Sequence, residues 1–292
     1  MATLLRDPRV QAVGGAACIA MSAMFMKASH TSTGTAAIYR CVLALPVLIP
    51  LALRERRRLG ERTRRQLLTD FFAGVLLGID LVLWGASIPA VGAGIATVLV
   101  NVQVVVVPLL ALLLLRERLS PLFAVLAPLM LGGLALASGA VDTHPAGAHP
   151  ISGGILAVTA GTTYAGYLFL LRLGGGQGYR SYPVCVATIG AAVTSAIVGS
   201  LWGGIDLTPG WQAAGYLAAL AMTGQVCGWL LLGAALPRMR ANVGATLLLL
   251  QPVLAVLLGF VLFAELPGTW QWAGCVLVVA IVWMTSVRGQ KR

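Results

Sequence analysis

Charged side chains are scarce in this sequence of 292 residues, of which aspartate, glutamate, lysine and arginine make up only 10%. The stretch from Leu81 to Leu115 contains none of them, and similar charge-free stretches recur along the chain. A water-soluble protein of this length needs a polar face on most of its helices, and this sequence does not supply those faces. The scarcity therefore excludes a soluble globular protein and predicts one that crosses a membrane several times.

Residues that carry out chemistry are scarce as well. None of the three histidines lies within a predicted span, and the sequence contains no Ser/His/Asp set and no HExxH motif. The five cysteines are scattered singly and form no CxxC pair. The glycine-rich segment at 174–178 lacks the Lys-Ser/Thr of a phosphate-binding loop. We therefore expect no enzyme activity, no metal site and no cofactor.

Apolar stretches of about 20 residues, the length that a helix needs to cross the hydrocarbon core, recur along the whole chain. The longest charge-free run, 81–115, is long enough for two spans, with the segment 89–94 as the turn between them. The predicted fold class is an all-α membrane protein with ten transmembrane helices. The predicted spans are roughly 10–28, 36–53, 71–88, 94–115, 121–140, 151–172, 183–201, 212–235, 242–263 and 270–287.

The basic residues are distributed unevenly between the loops. Of the 20 lysines and arginines, all but Lys27 and Arg40 fall in the segments on the side of the N-terminus. An excess of basic residues marks the cytoplasmic side, so both termini are predicted to be cytoplasmic. The formal net charge of +11 therefore reflects topology and contact with the lipid bilayer, and we expect no binding to nucleic acid.

The two halves of the chain share a pattern. Gln103 and Glu117 are 14 residues apart, as are Gln251 and Glu265, and the two pairs are displaced by 148 residues. Because each half holds five predicted spans, an odd number, the second half would be inverted relative to the first. Inverted repeats are typical of secondary transporters, which bind substrate near the membrane midplane. The predicted repeats are residues 1–145 and 146–292.

Several motifs resemble the EamA-type branch of the drug/metabolite transporter superfamily. They are Tyr39-Arg40-Cys41 early in the second span, and the segments at 114–120 and 262–267 that end the fourth and ninth spans. The resemblance implies a central cavity lined by spans 1, 3, 4, 6, 8 and 9. The pattern is similar to that of bacterial exporters of aromatic amino acids, which implies a bacterial inner membrane. A proline thirteen residues before the glutamate, usual in both halves, is present as Pro252 but replaced by Val104.

Polar side chains fall near the middle of four predicted spans. At a rise of about 1.5 Å per residue, Asp80, Gln103, Gln225 and Gln251 lie at one depth in the bilayer. A carboxylate in mid-membrane costs about 2.5–3.5 kcal/mol on insertion scales, which favours a functional role for Asp80. Alternatively, these residues have a structural role, in which Asp80 is neutral and the glutamines join neighbouring helices by hydrogen bonds.

Two of these polar groups are accompanied by an indole. Asp80 and Trp84 are spaced i, i+4, and Gln225 and Trp229 repeat the spacing, so each pair shares a helix face. A polar group beside an indole suits a ligand with a charged end and an aromatic or apolar body, although both tryptophans could simply pack. The predicted cavity residues are Asp80, Trp84, Asn101, Gln103, Tyr164, Gln225, Trp229, Gln251 and Met24. Lys27 and Arg40 are possible gate residues, although Lys27 could instead extend to the outer headgroups and Arg40 could brace the fold.

The sequence thus predicts a secondary transporter that exports amino acids, aromatic or hydrophobic ones, or similar small metabolites by alternating access. Its partners would be the small-molecule substrate and the lipid bilayer. Two alternatives stay open, namely an uncoupled facilitator or channel, and a transporter of sugar phosphates, nucleotide sugars or cationic drugs. A monomer and a homodimer are both compatible with the sequence.

Overall fold

The computed structural model describes residues 7–91, 96, 99–117, 119, 121–137, 150–174, 178–202, 204–263 and 268–288. All regular secondary structure in this part of the chain is helical. The α-helices are α1 (Pro8–Ser29), α2 (Thr33–Val42), α3 (Leu45–Leu59), α4 (Arg64–Val91), α5 (Gln103–Leu115), α6 (Pro121–Ala137), α7 (Pro150–Gly174), α8 (Ser181–Trp202), α9 (Trp211–Leu220), α10 (Trp229–Ala235), α11 (Ala241–Leu248), α12 (Leu250–Phe263) and α13 (Thr269–Arg288). A π-helical segment, Ala221–Gly228, joins α9 to α10, and a short 3-10 turn, Leu236–Arg238, follows α10.

Seven helices in the described ranges are long and apolar enough to cross a membrane, and three shorter apolar helices accompany them. The seven are Pro8–Met26, Thr33–Leu59, Arg64–Ser87, Ile151–Gly174, Ser181–Leu201, Trp211–Arg238 and Ala241–Leu262, and the shorter ones are Gln103–Leu115, Pro121–Leu136 and Trp272–Met284. Each predicted span overlaps one of these helices. The all-helical membrane fold is therefore confirmed, whereas the number of crossings and the side of the termini stay predictions.

The chain folds into two compact units. The first unit consists of Met1–Val82 and Gly166–Met239, and the second unit consists of Leu83–Ala165 and Arg240–Arg292. Each unit draws on both halves of the sequence. The repeat boundary at residues 145 and 146 remains a prediction.

In the first unit, glycine brings α4 and α8 into close contact. A Cβ atom added at Gly78 would lie 2.7 Å from the Thr194 side chain and 2.9 Å from the Ala191 carbonyl oxygen. Small residues allow membrane helices to approach each other closely, and no larger residue fits here without a shift. Because Asp80 follows Gly78 by two residues, this contact fixes the part of α4 that carries the acidic side chain.

Two of the predicted spans of the first unit are interrupted. Leu43 and Ala44 separate α2 from α3, and Pro46 stands at the beginning of α3, where its missing N–H costs no helical hydrogen bond. The span that begins with α9 changes to π-helical geometry over Ala221–Gly228 before α10 continues it. Both had been expected as single helices. π-helical turns inside α-helices occur often at functional sites, and this one carries Gln225.

Candidate functional site

Gln225 is the centre of a buried polar cluster in the first unit. Its side chain is fully buried, and its Oε1 atom accepts hydrogen bonds from Arg40 Nε and Trp229 Nε1, both at 3.1 Å. Its Nε2 atom donates to Thr188 Oγ1 at 2.9 Å. The Thr188 hydroxyl donates in turn to the Val184 carbonyl at 2.8 Å within α8. One amide therefore connects side chains of α2, α8 and α10.

Aromatic packing completes this cluster. The ring of Tyr167 meets the ring of Trp229 edge to face, with the ring centroids 4.7 Å apart. Both rings are buried, and edge-to-face pairs of this kind add about 0.5–1.5 kcal/mol beyond the burial of their surface. The indole N–H is held by Gln225 at the same time. The orientation of Trp229 is therefore fixed by a hydrogen bond at one edge and by an aromatic contact on its ring.

A carboxylate and a guanidinium face this cluster without being joined. Asp80 is 7% exposed, and its Oδ1 atom has no hydrogen-bond partner among the described residues. Arg40 acts on Asp80 electrostatically, but the two form no direct ion pair. The Arg40 side chain instead donates to Gln225. The first unit thus holds a buried carboxylate oxygen without a hydrogen-bond partner among the described residues and a guanidinium that donates to Gln225.

The backbone of the π-helical segment leaves room for Arg40. A Cβ atom added at Gly224 would lie 3.1 Å from Arg40 Nη2 and 2.7 Å from Ser22 Oγ. The Ser22 hydroxyl donates to the Ile19 carbonyl at 2.7 Å in α1, so it is held in place. Glycine at this position therefore allows the guanidinium to reach Gln225.

The second unit contains two helix breaks at positions related by the predicted repeat. Asn101 and Val102 form a turn directly before α5, and Leu249 separates α11 from α12. Hydrogen bonds three residues apart replace the α-helical ones there, from Val102 N to Leu99 O at 3.2 Å and from Leu249 N to Thr246 O at 3.1 Å. Both spans had been predicted as continuous helices. Discontinuous helices of this kind form substrate and ion sites in many secondary transporters.

A glutamine follows each break by two residues or fewer. Gln103 is 1% exposed, and its Oε1 atom finds no hydrogen-bond partner within the described ranges. Gln251 is half-buried, and its Nε2 atom donates to the Tyr164 hydroxyl at a long 3.5 Å. These two amides are thus held less firmly than Gln225. The structure brings Gln251 and Tyr164 into contact, and their place in a cavity stays a prediction.

The remaining predicted residues are less engaged in the described contacts. Trp84 is half-buried, and its carbonyl oxygen accepts a hydrogen bond from Ser87 Oγ at 2.7 Å. Asn101 and Met24 are half-buried, Asn101 in the turn before α5 and Met24 in α1. Lys27 lies in α1, and its side chain is outside the described part of the structure. The roles assigned to these residues remain predictions.

Two contacts of the cluster could not be located from the sequence. The structure joins Arg40, a possible gate residue, to Gln225. Thr188 was not singled out, since its only signal was a hydroxyl in an apolar span. Away from this cluster, Arg62 is 6% exposed and pairs with Asp70.

Arg62 and Asp70 form a buried ion pair in direct contact. Arg62 Nε lies 2.9 Å from Asp70 Oδ2, and Arg62 Nη1 donates to the Gly174 carbonyl at 2.9 Å. The guanidinium also lies over the Tyr179 ring, 4.9 Å from its centroid. The pair ties the beginning of α4 to the end of α7 within the first unit.

In the part of the chain that the structure describes, no group of three or more histidine, cysteine, aspartate or glutamate residues is arranged to hold a metal ion. The first unit instead contains a carboxylate oxygen without a hydrogen-bond partner among the described residues, a guanidinium and a buried aromatic pair. These groups bind ions and polar molecules by charge and hydrogen bonds.

Comparison with known protein families shows to which family the chain belongs. The profile of the EamA-like transporter family matches residues 10–139 and 151–287, which together make up most of the chain. The chain belongs to the EamA-like transporter family. This EamA-like protein is therefore a multi-pass membrane protein of a family that transports small molecules and does not consist of enzymes.

Solved structures support the fold of this EamA-like transporter. One crystal structure, described only as that of a protein, matches with a TM-score of 0.80 at 14% sequence identity. The match covers 97% of this chain and 98% of the other, and at this identity it shows the fold alone. No curated protein matches the sequence at a significant level.

Proposed function

We propose that this EamA-like transporter exports amino acids with aromatic or hydrophobic side chains across a bacterial inner membrane by alternating access. The observation that supports this proposal is the buried Asp80 carboxylate, whose Oδ1 atom has no hydrogen-bond partner among the described residues. The charge of Arg40 acts on it without a direct ion pair. An amino acid carries an ammonium and a carboxylate on one carbon atom. It would bridge the two side chains, with its ammonium on Asp80 and its carboxylate on Arg40.

The surroundings of the two charges favour an aromatic or apolar substrate. Trp229 and Tyr167 form a buried aromatic pair in the same unit, which the transport cycle would have to uncover before a substrate side chain packs on it, and Gln225 holds both Trp229 and Arg40. A phosphorylated substrate would need several cations, and Arg40 is the one basic side chain that the described part of this cluster contains. The local chemistry therefore favours a zwitterion over a sugar phosphate or a nucleotide sugar.

The proposed cycle follows from the cost of an uncompensated charge in the membrane. An empty carrier with an ionised Asp80 would be expensive, so either a substrate ammonium or a proton would neutralise the carboxylate. The substrate would leave on the outer side, a proton would enter the emptied site from that same side, and release of the proton into the cytoplasm would drive export. Trp84, Asn101, Gln103, Tyr164, Gln251 and Met24 remain proposed cavity residues.

Uptake of labelled phenylalanine and tryptophan into proteoliposomes tests the proposal. We expect saturable uptake that unlabelled aromatic amino acids inhibit and that an imposed pH gradient changes. Uptake that rises linearly with concentration and ignores the gradient would indicate an uncoupled facilitator. Inhibition by sugar phosphates or cationic drugs, without inhibition by amino acids, would assign another substrate class.

A further inference from the structure

A cavity of about 590 Å³ lies in the first unit, and none of the residues that line it belongs to the Gln225 cluster. It is formed by one face of α3 and by the turn that leads into α8. Three of its lining residues are arginines and one is a glutamate, so the lining is cationic. The lining residues are Leu51, Arg54, Glu55, Arg58, Leu59, Gly178, Arg180 and Ser181.

The arginines of this cavity are not neutralised by the protein. Arg54, Arg58 and Arg180 are exposed, and their guanidinium groups make no hydrogen bond or ion pair with any residue that the structure describes. Arg56 on the same helix, by contrast, pairs with Glu61. Three unpaired guanidinium groups around one cavity form a site for an anion that accepts several hydrogen bonds, such as a phosphate.

The one acidic residue of the lining is already engaged. The Glu55 carboxylate accepts hydrogen bonds from the backbone N–H groups of Arg180, Ser181 and Tyr182 at 2.9, 2.8 and 2.7 Å. These N–H groups begin α8, so Glu55 satisfies the donors at the start of that helix. Its oxygens are bonded to the helix terminus, and they form no ion pair with the arginines of the cavity among the described residues.

Both walls of the cavity are held in place. Glu55 ties α3 to the beginning of α8, and the Tyr179 hydroxyl donates to the Leu59 carbonyl at 3.0 Å. Gly178 has a φ of +89°, a left-handed conformation that glycine adopts without strain. The cavity is therefore formed before any ligand arrives, which lowers the entropic cost of binding.

The position of the cavity distinguishes a lipid from a free phosphate. Its α3 wall is the last part of the candidate membrane span Thr33–Leu59, and Leu51 and Leu59 line it beside the arginines. Apolar residues next to cations at the end of a membrane span suit a molecule with a phosphate head and an acyl body. Basic pockets between membrane helices bind anionic lipid headgroups in this way.

We infer that the cavity lined by Arg54, Arg58 and Arg180 binds the phosphate headgroup of an anionic phospholipid. The arginines contact the phosphate, and Leu51 and Leu59 contact the glycerol and the first acyl carbons. The bound headgroup would then contact both α3 and the start of α8.

Native mass spectrometry of the purified full-length protein in detergent tests this inference, with phosphatidylglycerol as the anionic probe and phosphatidylcholine as the neutral one. The triple variant Arg54→Gln/Arg58→Gln/Arg180→Gln is expected to bind phosphatidylglycerol about tenfold more weakly than wild type. The matched control Arg57→Gln/Arg64→Gln/Arg65→Gln loses the same charge from exposed arginines outside the cavity. We expect its affinity to stay within about twofold of wild type.

A second variant keeps every charge and fills the space. Leu51→Trp should also reduce the binding of phosphatidylglycerol, because the indole occupies the room of the glycerol group. Loss of binding in this variant and in the cavity triple, with binding retained in the control triple, supports the inference.

Three results would overturn it. Equal losses in the two triple variants would mean that only the general surface charge attracts the lipid. Displacement of phosphatidylglycerol by millimolar inorganic phosphate would assign the site to a free phosphate compound. Equal affinity for phosphatidylcholine and phosphatidylglycerol in wild type would show that the arginines do not select the headgroup.

Discussion

Two arginine–aspartate couples in the first unit differ in one respect. Asp70 and Asp80 both lie on α4 and are 3% and 7% exposed. Asp70 is in direct contact with Arg62, whose Nε atom lies 2.9 Å from the carboxylate. Asp80 has no partner among the described residues, although the charge of Arg40 acts on it. We call Arg62–Asp70 the closed couple, because its side chains are in contact, and Arg40–Asp80 the open couple, because no ion pair joins its side chains.

This difference indicates separate roles for the two couples. A closed, buried pair compensates both charges, so removing one partner leaves the other buried and alone. The Asp80 carboxylate is buried without a hydrogen-bond partner for its Oδ1 atom, and a ligand can supply the missing interaction. We therefore propose that Arg62–Asp70 stabilises the first unit and that Arg40 and Asp80 bind substrate.

Breaking the closed pair should have the largest effect on stability. Asp70→Asn leaves the Arg62 guanidinium buried without its counter-ion, so we expect the free energy of unfolding to fall by about 3–5 kcal/mol. Thermal and denaturant unfolding of the purified protein in detergent measures this. Glu61→Gln, which removes the exposed partner of Arg56, is the control and should leave stability unchanged. An Asp70→Asn protein as stable as wild type would refute the structural assignment.

Removing the amide of Gln225 should have the next largest effect. Gln225→Leu removes the acceptor that Arg40 Nε and the buried Trp229 Nε1 share, so we expect a loss of about 2–3 kcal/mol. Gln225→Glu keeps an acceptor for both donors, and the Thr188 hydroxyl can turn to donate to it, so stability should largely return. The exposed Gln212→Leu is the control. Equal melting temperatures for the leucine and glutamate variants would contradict this role.

Crowding the Arg40 side chain should have the smallest effect of the three. Gly224→Ala places a Cβ atom 3.1 Å from Arg40 Nη2 and 2.7 Å from Ser22 Oγ, so we expect a loss of about 1–2 kcal/mol. Gly215→Ala in α9 is the matched control, because a Cβ atom there meets nothing within 4 Å. Its stability should be equal to wild type or slightly higher, since alanine favours the helix. The same unfolding experiment compares them, and equal losses in both would mean that Arg40 is not confined by Gly224.

The fold could be predicted from the sequence to the extent that composition determines it. Length and hydropathy located the membrane helices, because burial in lipid depends on long apolar stretches. The turn at Asn101–Val102 and the π-helical segment Ala221–Gly228 could not be located, because neither contains a proline that would mark the break. Tertiary packing decides where such spans depart from α-helical hydrogen bonding.

For the candidate site, the sequence indicates the depth of a residue along its helix but not the side chains that it contacts. Counting residues along a span gives the depth of Gln225, but the rotation of the helix decides that Arg40 and Thr188 reach it. Arg62 was predicted as an exposed topology anchor because arginines surround it in sequence. Its partner Asp70 lies just before the predicted third span, so the pair became visible only with α4 folded from Arg64 onward.

Uptake of labelled phenylalanine by proteoliposomes that contain wild type or Asp80→Asn, with the melting temperature of each protein measured in parallel, tests the open couple most directly. The account predicts that Asp80→Asn lowers uptake about tenfold or more while the melting temperature stays equal to that of wild type or rises, because an uncompensated buried carboxylate is removed. Unchanged uptake in Asp80→Asn, or a loss of stability as large as that of Asp70→Asn, would show that Asp80 is a structural residue and would contradict the account.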